Sequence, residues 1–376
     1  MSGGVPGRLN GGDWFRRLVL PGFAFKAVVI GGGYATGREI AEFFLGSGPL
    51  GGFLGLLLAM CIWSVICALT FVFARQVGAN DYRAFFQQLL GPGWVLFEIA
   101  YVLFMVLVIA VMAAAAGEIG AALFAWPTWA GTALLLALTI AVASMGTAAA
   151  ERMFRFSSLA IYAVYALFLV LALIAFGGAV GGDWSAAPVG TDWISGGVTY
   201  ASYNVIGAVL ILPFLWHQRS QRDAVVAGLL AGPLAMLPAL VMFGCMAAFY
   251  PRIGDAALPS DFLLERMGAA WFAFLFQGMI FIALLETGVG TVNALEERAA
   301  SAARKRGREL PPLARLGIGA LVVIGSGTLA ARLGLIELIA QGYGLFGYVM
   351  LFLFVLPLVL IGSYRIFKRA PEALPS

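Results

Sequence analysis

Residues 18–45 read LVLPGFAFKAVVIGGGYATGREIAEFFL. Two apolar runs flank Gly31-Gly32-Gly33, and the second carries Arg38, Glu39 and Glu42. The stretch is long enough to cross a bilayer, which takes about 20 helical residues. Three consecutive glycines weaken a helix by about 1 kcal/mol each relative to alanine, so this span is predicted to break at its centre. Irregular backbone at membrane depth survives only inside protein or along a cavity. The freed peptide groups would then face a substrate or ion, with the positive end of the outer half-helix aimed at an anionic group.

The rest of the chain places this segment in a membrane. The 376 residues are 62% hydrophobic and 11% charged, with a mean hydropathy of +0.95. Soluble domains carry about 45–50% apolar and about 25% charged residues. Soluble enzymes and nucleic-acid binders are thereby excluded. The net charge of +4 resides in short loops between apolar runs, where it sets topology. Cys61, Cys67 and Cys245 lie within apolar runs and suggest no disulfide framework. His217 is the single histidine, which argues against a histidine-based metal site. Arg16-Arg17 precedes an apolar run without a cleavage site, so that run reads as an uncleaved first span.

Apolar periodicity predicts an all-α polytopic protein with ten transmembrane helices, at 18–45, 51–76, 92–120, 127–150, 154–180, 195–217, 223–249, 268–296, 312–331 and 335–364. An amphipathic piece from Asp81 to Leu90 is expected at the membrane surface. Lys and Arg gather on one side, leaving only Arg252, Arg266 and Arg332 on the other. Both termini are therefore expected in the cytoplasm, with the protein in the inner membrane. A second break is predicted in span six, at Tyr203-Asn204-Val205-Ile206-Gly207. Spans one and six are equivalent if 18–180 and 195–364 are two five-helix repeats, the second inverted, flanked by cytoplasmic segments 1–17 and 365–376. Interrupted segments at matching positions of two halves are the best sequence pointer to a transporter binding site.

The motif Ile30-Gly-Gly-Gly-Tyr-Ala-Thr-Gly-Arg-Glu-Ile-Ala-Glu-Phe-Phe44 resembles the first-span motif of the YkvI-like bacterial membrane proteins, roughly V-G-A-G-F-A-S-G-Q-E-I-x-x-F-F. Glu286-Thr-Gly-Val-Gly290, followed by Glu297-Arg298, resembles their eighth-span motif. Gly32 and Arg38 depart from the pattern, where Ala and Gln are commoner. The resemblance covers essentially the whole chain. It implies a branch of the amino acid-polyamine-organocation superfamily with the leucine-transporter fold, a 5+5 inverted repeat with broken helices 1 and 6, and cation- or proton-coupled solute transport. It brings no substrate.

The candidate residues follow from these two readings. Gly31, Gly32, Gly33, Tyr34, Tyr203, Asn204 and Gly207 are the expected substrate site, with Tyr200 nearby. Glu286 lies inside span eight, where a charge costs about 2.5–3.5 kcal/mol and should face the bundle interior. With Thr287 and Thr291 it could hold Na⁺ or a proton. Spans one and eight are neighbours in the implied fold, so Lys26 is a candidate partner for Glu286, standing where sodium would sit. Arg38 with Glu337 resembles an external gate. Glu98 and Glu118 read as structural or vestibular. No H-E-x-x-H, G-x-S-x-G or clustered aspartates suggest catalysis, and no cofactor beyond a coupling ion is expected. The expected function is secondary active transport of a small solute, an amino acid or related amine, by alternating access. The competing reading is a structural or sensory membrane protein.

Overall fold

A computed structural model describes residues 14–145, 147–179, 184, 188–268, 270–304, 307 and 310–369. Segment 1–13, Asp183, the basic residues Lys305, Arg306 and Arg308, and the end of the tail from 370 lie outside the described residues.

The described residues form helices without strands. The first predicted span is three pieces: α1 (Leu20–Val29), α2 (Gly32–Ala35) and α3 (Arg38–Phe44). Beyond it come α4 (Gly48–Val77), α5 (Tyr82–Leu90), α6 (Trp94–Phe124), α7 (Thr128–Ser144) and α8 (Thr147–Phe176). The later part contains α9 (Trp193–Asn204), α10 (Ile206–Leu210), α11 (Gln221–Ala247), α12 (Pro259–Met267), α13 (Ala270–Arg304) and α14 (Pro312–Glu337). Two short helices, α15 (Gly344–Met350) and α16 (Ser363–Arg369), close the chain and are joined by π-helical turns.

Among the described residues, five helical stretches are long and apolar enough to cross a membrane: Arg38–Val77, Tyr82–Phe124, Gln221–Ala247, Ala270–Arg304 and Leu313–Lys368. Thr128–Ser144 and Ala160–Phe176 are shorter apolar helices. Large apolar side chains such as Ile174, Leu321 and Phe352 are exposed on the outside, as a lipid-facing surface requires. The boundary predicted between spans nine and ten coincides with Gly334, whose φ of +75° interrupts the helix.

Residues 81–90 differ from expectation. Asp81 caps α5 by accepting the Ala84 N–H at 2.8 Å. The apolar face of α5 does not simply lie on lipid: Phe85, Phe86 and Leu89 are buried, and Phe86 stacks on Phe97 of α6. Aromatic burial against a neighbouring helix satisfies the same amphipathic pattern that a membrane surface would.

α4 packs closely against α11 through small residues. A Cβ on Gly228 would fall 2.3 Å from the Ala68 backbone, and one on Gly232 2.4 Å from the Met60 carbonyl. Pro233 removes the N–H that would bond Leu229 one turn earlier, and Ser64 Oγ donates to that freed carbonyl at 3.0 Å.

The start of α11 is tied to the segment before α1. Ser220 and Asp223 form a capping box, and Arg17 donates two hydrogen bonds to the Asp223 carboxylate at 2.7 and 3.0 Å. Asp223 is buried. Asp223→Ala removes the cap and the two hydrogen bonds that Arg17 donates to it, so a loss of about 2–3 kcal/mol is expected. A lowered unfolding midpoint in detergent checks this, and an unchanged midpoint contradicts it.

Candidate functional site

The first span opens where the glycines begin. Ile30 (φ −75°, ψ 80°) ends α1, and Gly31 (φ −97°, ψ −172°) is extended. A second interruption follows at Thr36-Gly37, where Gly37 takes φ +79°, a conformation that favours glycine. The first turn of α12 secures this second interruption: the Ser260 N–H donates to the Thr36 carbonyl at 2.9 Å.

Span six is interrupted less than predicted. Val205 keeps helical dihedrals (φ −62°, ψ −13°), and the helix merely tightens there, the Ala208 N–H reaching the Val205 carbonyl. From Leu212 to His217 it becomes a 3₁₀ helix containing Pro213. The physical reason lies at Gly207, which serves close packing: a Cβ there would meet the Phe25 ring at 3.1 Å. One isolated glycine lets helices approach without unwinding either.

A cavity of about 340 Å³ lies between α1, α6, α9, α10 and α13. Gly31, Tyr203, Asn204, Thr287, Gly290 and Thr291 line it, together with Tyr101, Phe104, Met112 and Tyr343. Among the described residues, Glu39 is the one charged side chain that lines it. Glu39 is 4% exposed, and the Tyr203 hydroxyl donates to its Oε2 at 2.7 Å. Its carboxyl lies directly against Gly33, where a Cβ would fall 2.2 Å from Oε1. The lining ends at Ala27, Val28, Leu210 and Ala294, of which Val28 is 41% exposed. At the other end the rings of Phe43, Tyr203, Tyr343 and Phe104 pack at 4.9–5.7 Å between successive neighbours. Tyr203, Tyr343 and Phe104 line this cavity, and Phe43 lines a second one with Glu42, Asp192, Ser195 and Tyr348.

Several expected site residues sit elsewhere. Tyr34 is fully buried, and its hydroxyl donates to the Ala235 carbonyl of α11 at 2.9 Å. Gly32 faces Leu284 and Met112 of neighbouring helices. Glu286 does not join Thr287 and Thr291 at the cavity. Consecutive helical residues point 100° apart, so the face that presents residues 287, 290 and 291 turns 286 aside. Glu286 lies within electrostatic range of Tyr162 of α8, with its Oε1 buried and unbonded. The hydroxyls of Thr287 and Thr291 donate to carbonyls of their own helix, at 3.0 and 2.7 Å.

Lys26 does not pair with Glu286. Its ammonium lies over the rings of Phe23 and Tyr162, 5.8 and 5.6 Å from their centroids. Tyr162 is thus the common neighbour of the two charges. The Arg38–Glu337 gate is not formed either. Arg38 is 3% exposed, donates to Glu42 at 2.8 Å and to the carbonyls of Gly254 and Ala256 at 2.7 and 2.9 Å. Glu42 stands one turn away on the same face, so it competes successfully with the distant and exposed Glu337. Glu98 is structural: Arg298 donates to it at 2.7 Å while lying over the rings of Tyr82 and Tyr101. Glu118 lines a separate shallow cavity with Asp261 and Glu265.

The sequence reading overlooked Glu39, Tyr343, Phe104 and Tyr101 as lining residues. For Glu39 a signal existed, since a carboxylate within an apolar span must find a partner inside the protein. Its neighbour Arg38 supplied a misleading one.

No protein-family model matches the chain. It is 24% identical over 338 residues to the Bacillus subtilis (strain 168) membrane protein YkvI, covering 88% of this chain and 92% of that one. The resemblance carried by the first- and eighth-span motifs thus extends over most of the sequence. Among solved structures the chain is similar to MhsT in complex with L-phenylalanine, with a TM-score of 0.59 and 16% identity over 99% of this chain and 100% of that one. It is also similar to a Na⁺-coupled sialic acid symporter, with a TM-score of 0.58 and 15% identity over 93% and 81% of the two chains. The leucine-transporter fold of these proteins is the fold of this chain, a multi-pass membrane protein.

Proposed function

We propose that this chain is a secondary active transporter that carries a small solute through the cavity between its two interrupted spans. The observation that carries this reading is the cavity itself: about 340 Å³, beside irregular backbone, with one buried carboxylate among apolar and aromatic walls. Such a space fits a small organic molecule, and a few placed polar groups in an apolar pocket are what fix a ligand's orientation.

The chain would cross the inner membrane ten times, with both termini cytoplasmic and two five-helix repeats inverted relative to each other. The pairing of helices supports that arrangement. Contacts join α4 with α11, α6 with α13, and α7 with α14. Each pair occupies equivalent positions in the two halves. With the N-terminus inside, Ala27, Val28, Leu210 and Ala294 mark a cytoplasmic mouth, and the aromatic layer at Phe43, Tyr203 and Tyr343 closes the outer path. Alternating access would move spans one, two, six and seven against the remainder.

The cargo class is an amino acid or related amine, and the coupling ion is Na⁺ or H⁺. Among the sequence candidates, Thr287 and Thr291 remain at the cavity as oxygen ligands for a cation, whereas Glu286 and Lys26 act beside it, around Tyr162. The likeness to a symporter described as Na⁺-coupled favours an ion gradient as the driving force.

The test is uptake by purified protein in proteoliposomes, offered a mixture of amino acids and amines read by mass spectrometry. Under an imposed Na⁺ or H⁺ gradient, at least one solute is expected to accumulate saturably above the protein-free vesicles. Absence of any gradient-driven accumulation, under both gradients, contradicts the proposal.

A further inference from the structure

The charges around the cavity are one-sided. Glu39 is buried at its wall, and among the described residues no Lys, Arg or His lines it. The cations nearest in sequence or fold are committed elsewhere. Lys26 lies over Phe23 and Tyr162. Arg38 is bonded to Glu42 and to two loop carbonyls. Arg298 is bonded to Glu98. A carboxylate carried into this space would be desolvated without a cationic partner and would face Glu39 at close range. Burying an unpaired anion is strongly unfavourable, and a second like charge makes it worse.

The helix break does not offset this. The carboxyl of Glu39 already lies against Gly33, where a Cβ would fall 2.2 Å from Oε1, so an anion approaching the break on that side would meet it. A positively charged cargo meets the opposite situation. An ammonium group would neutralise Glu39 and stand against the rings of Tyr203, Tyr343 and Phe104, which pack on one another at 4.9–6.4 Å. Ammonium groups are attracted to aromatic faces as well as to carboxylates. A bare metal ion is a poor match. Glu39 is the lone charged ligand at the cavity, and no group of three metal-ligating side chains occurs among the described residues.

We infer that the cargo is a monocationic organic amine with an apolar body and no carboxylate, its nitrogen held between Glu39 and the ring of Tyr343. The inference rests on the transporter reading for its biological meaning, but the binding site stands without it. It also sets this chain apart from MhsT, whose similar structure holds the zwitterion L-phenylalanine.

Three ligands with one apolar body separate the possibilities: phenethylamine, L-phenylalanine and phenylacetate. Each is titrated into the full-length protein in nanodiscs by calorimetry, alongside ethylamine and tryptamine as a smaller and a larger amine. At least one amine is expected to bind about tenfold or more tightly than phenylalanine, with no binding of phenylacetate, and Glu39→Gln should weaken the amine at least about tenfold. Should Glu39→Gln not fold, Tyr343→Leu is expected to weaken the amine about three- to tenfold, and Tyr343→Phe to retain it. Phenylalanine or phenylacetate binding as tightly as the amines overturns the inference. So does failure of every amine to bind, or amine binding indifferent to both the Glu39 and Tyr343 substitutions. Proteoliposome flux then separates the two claims. Amine binding without flux leaves the ligand class intact and removes the transporter reading. Saturable phenylalanine flux unaffected by Glu39→Gln does the reverse.

Discussion

Gly33→Ala is expected to cut solute uptake about 100-fold while leaving the unfolding midpoint within a few degrees of wild type. Gly33 is helical within α2, and alanine favours helix over glycine, so the backbone tolerates the change. The added methyl carbon would lie 2.2 Å from Glu39 Oε1, 2.9 Å from Cδ and 3.0 Å from Cγ. The carboxyl end of Glu39 must therefore swing away, and its hydrogen bond from Tyr203 breaks. Displacement of a binding group by an ångström is enough for about a hundredfold loss when orientation carries the function. Initial uptake rates set beside the unfolding midpoint check both halves of this expectation. Normal uptake by Gly33→Ala would mean that the placement of Glu39 does not matter.

The second large effect falls on the fold. Gly228→Val places its Cβ 2.3 Å from both Cα and N of Ala68 and 2.8 Å from the carbonyl carbon of Cys67. These are backbone atoms of a long helix, unable to yield as a side-chain tip yields. Helix association in membranes depends on such close approach of small residues. Overpacking typically destabilises by about 1–3 kcal/mol, and a clash with three backbone atoms belongs at or beyond the upper end. The expected outcome is loss of monodisperse protein on size-exclusion in detergent, or an unfolding midpoint lowered by about 4 °C or more, on the order of 3 kcal/mol. Gly290→Ala is the contrast, since nothing lies within 4 Å of a Cβ there. Equal stability of Gly228→Val and Gly290→Ala would refute the close α4–α11 contact as a stabilising element.

The sequence carried the helical, membrane-spanning character and the opening at Gly31, because glycine clustering and apolar run length are local properties. It also carried the boundary at Gly334, marked by a glycine between two apolar runs. Span six was less legible. Gly207 is a single glycine, and whether it unwinds a helix or merely accommodates Phe25 depends on what packs against it. The site divided in the same way. Gly31, Tyr203, Asn204, Thr287 and Thr291 do line one cavity, yet Glu286 and Tyr34 turn away from it. A helix face can be counted from sequence, but its rotation about the axis is set by neighbouring helices. Arg38 illustrates the point further. Its true partners include carbonyls of Gly254 and Ala256, more than 200 positions away, and backbone acceptors leave no trace in residue identity. Glu39 was concealed by the more conspicuous charge beside it.

In a carrier that works by alternating access, one cavity between the interrupted spans is reached in turn from the two sides of the membrane. Asn204→Cys, in a background with Cys61, Cys67 and Cys245 replaced by alanine or serine, places a thiol at that cavity. Its modification by a membrane-impermeant maleimide can be followed in right-side-out and inside-out vesicles, with and without an ion gradient. The account predicts labelling from both sides, with the two rates moving in opposite directions when the gradient is imposed. Labelling from neither side, or equal and gradient-independent labelling from both, would contradict it.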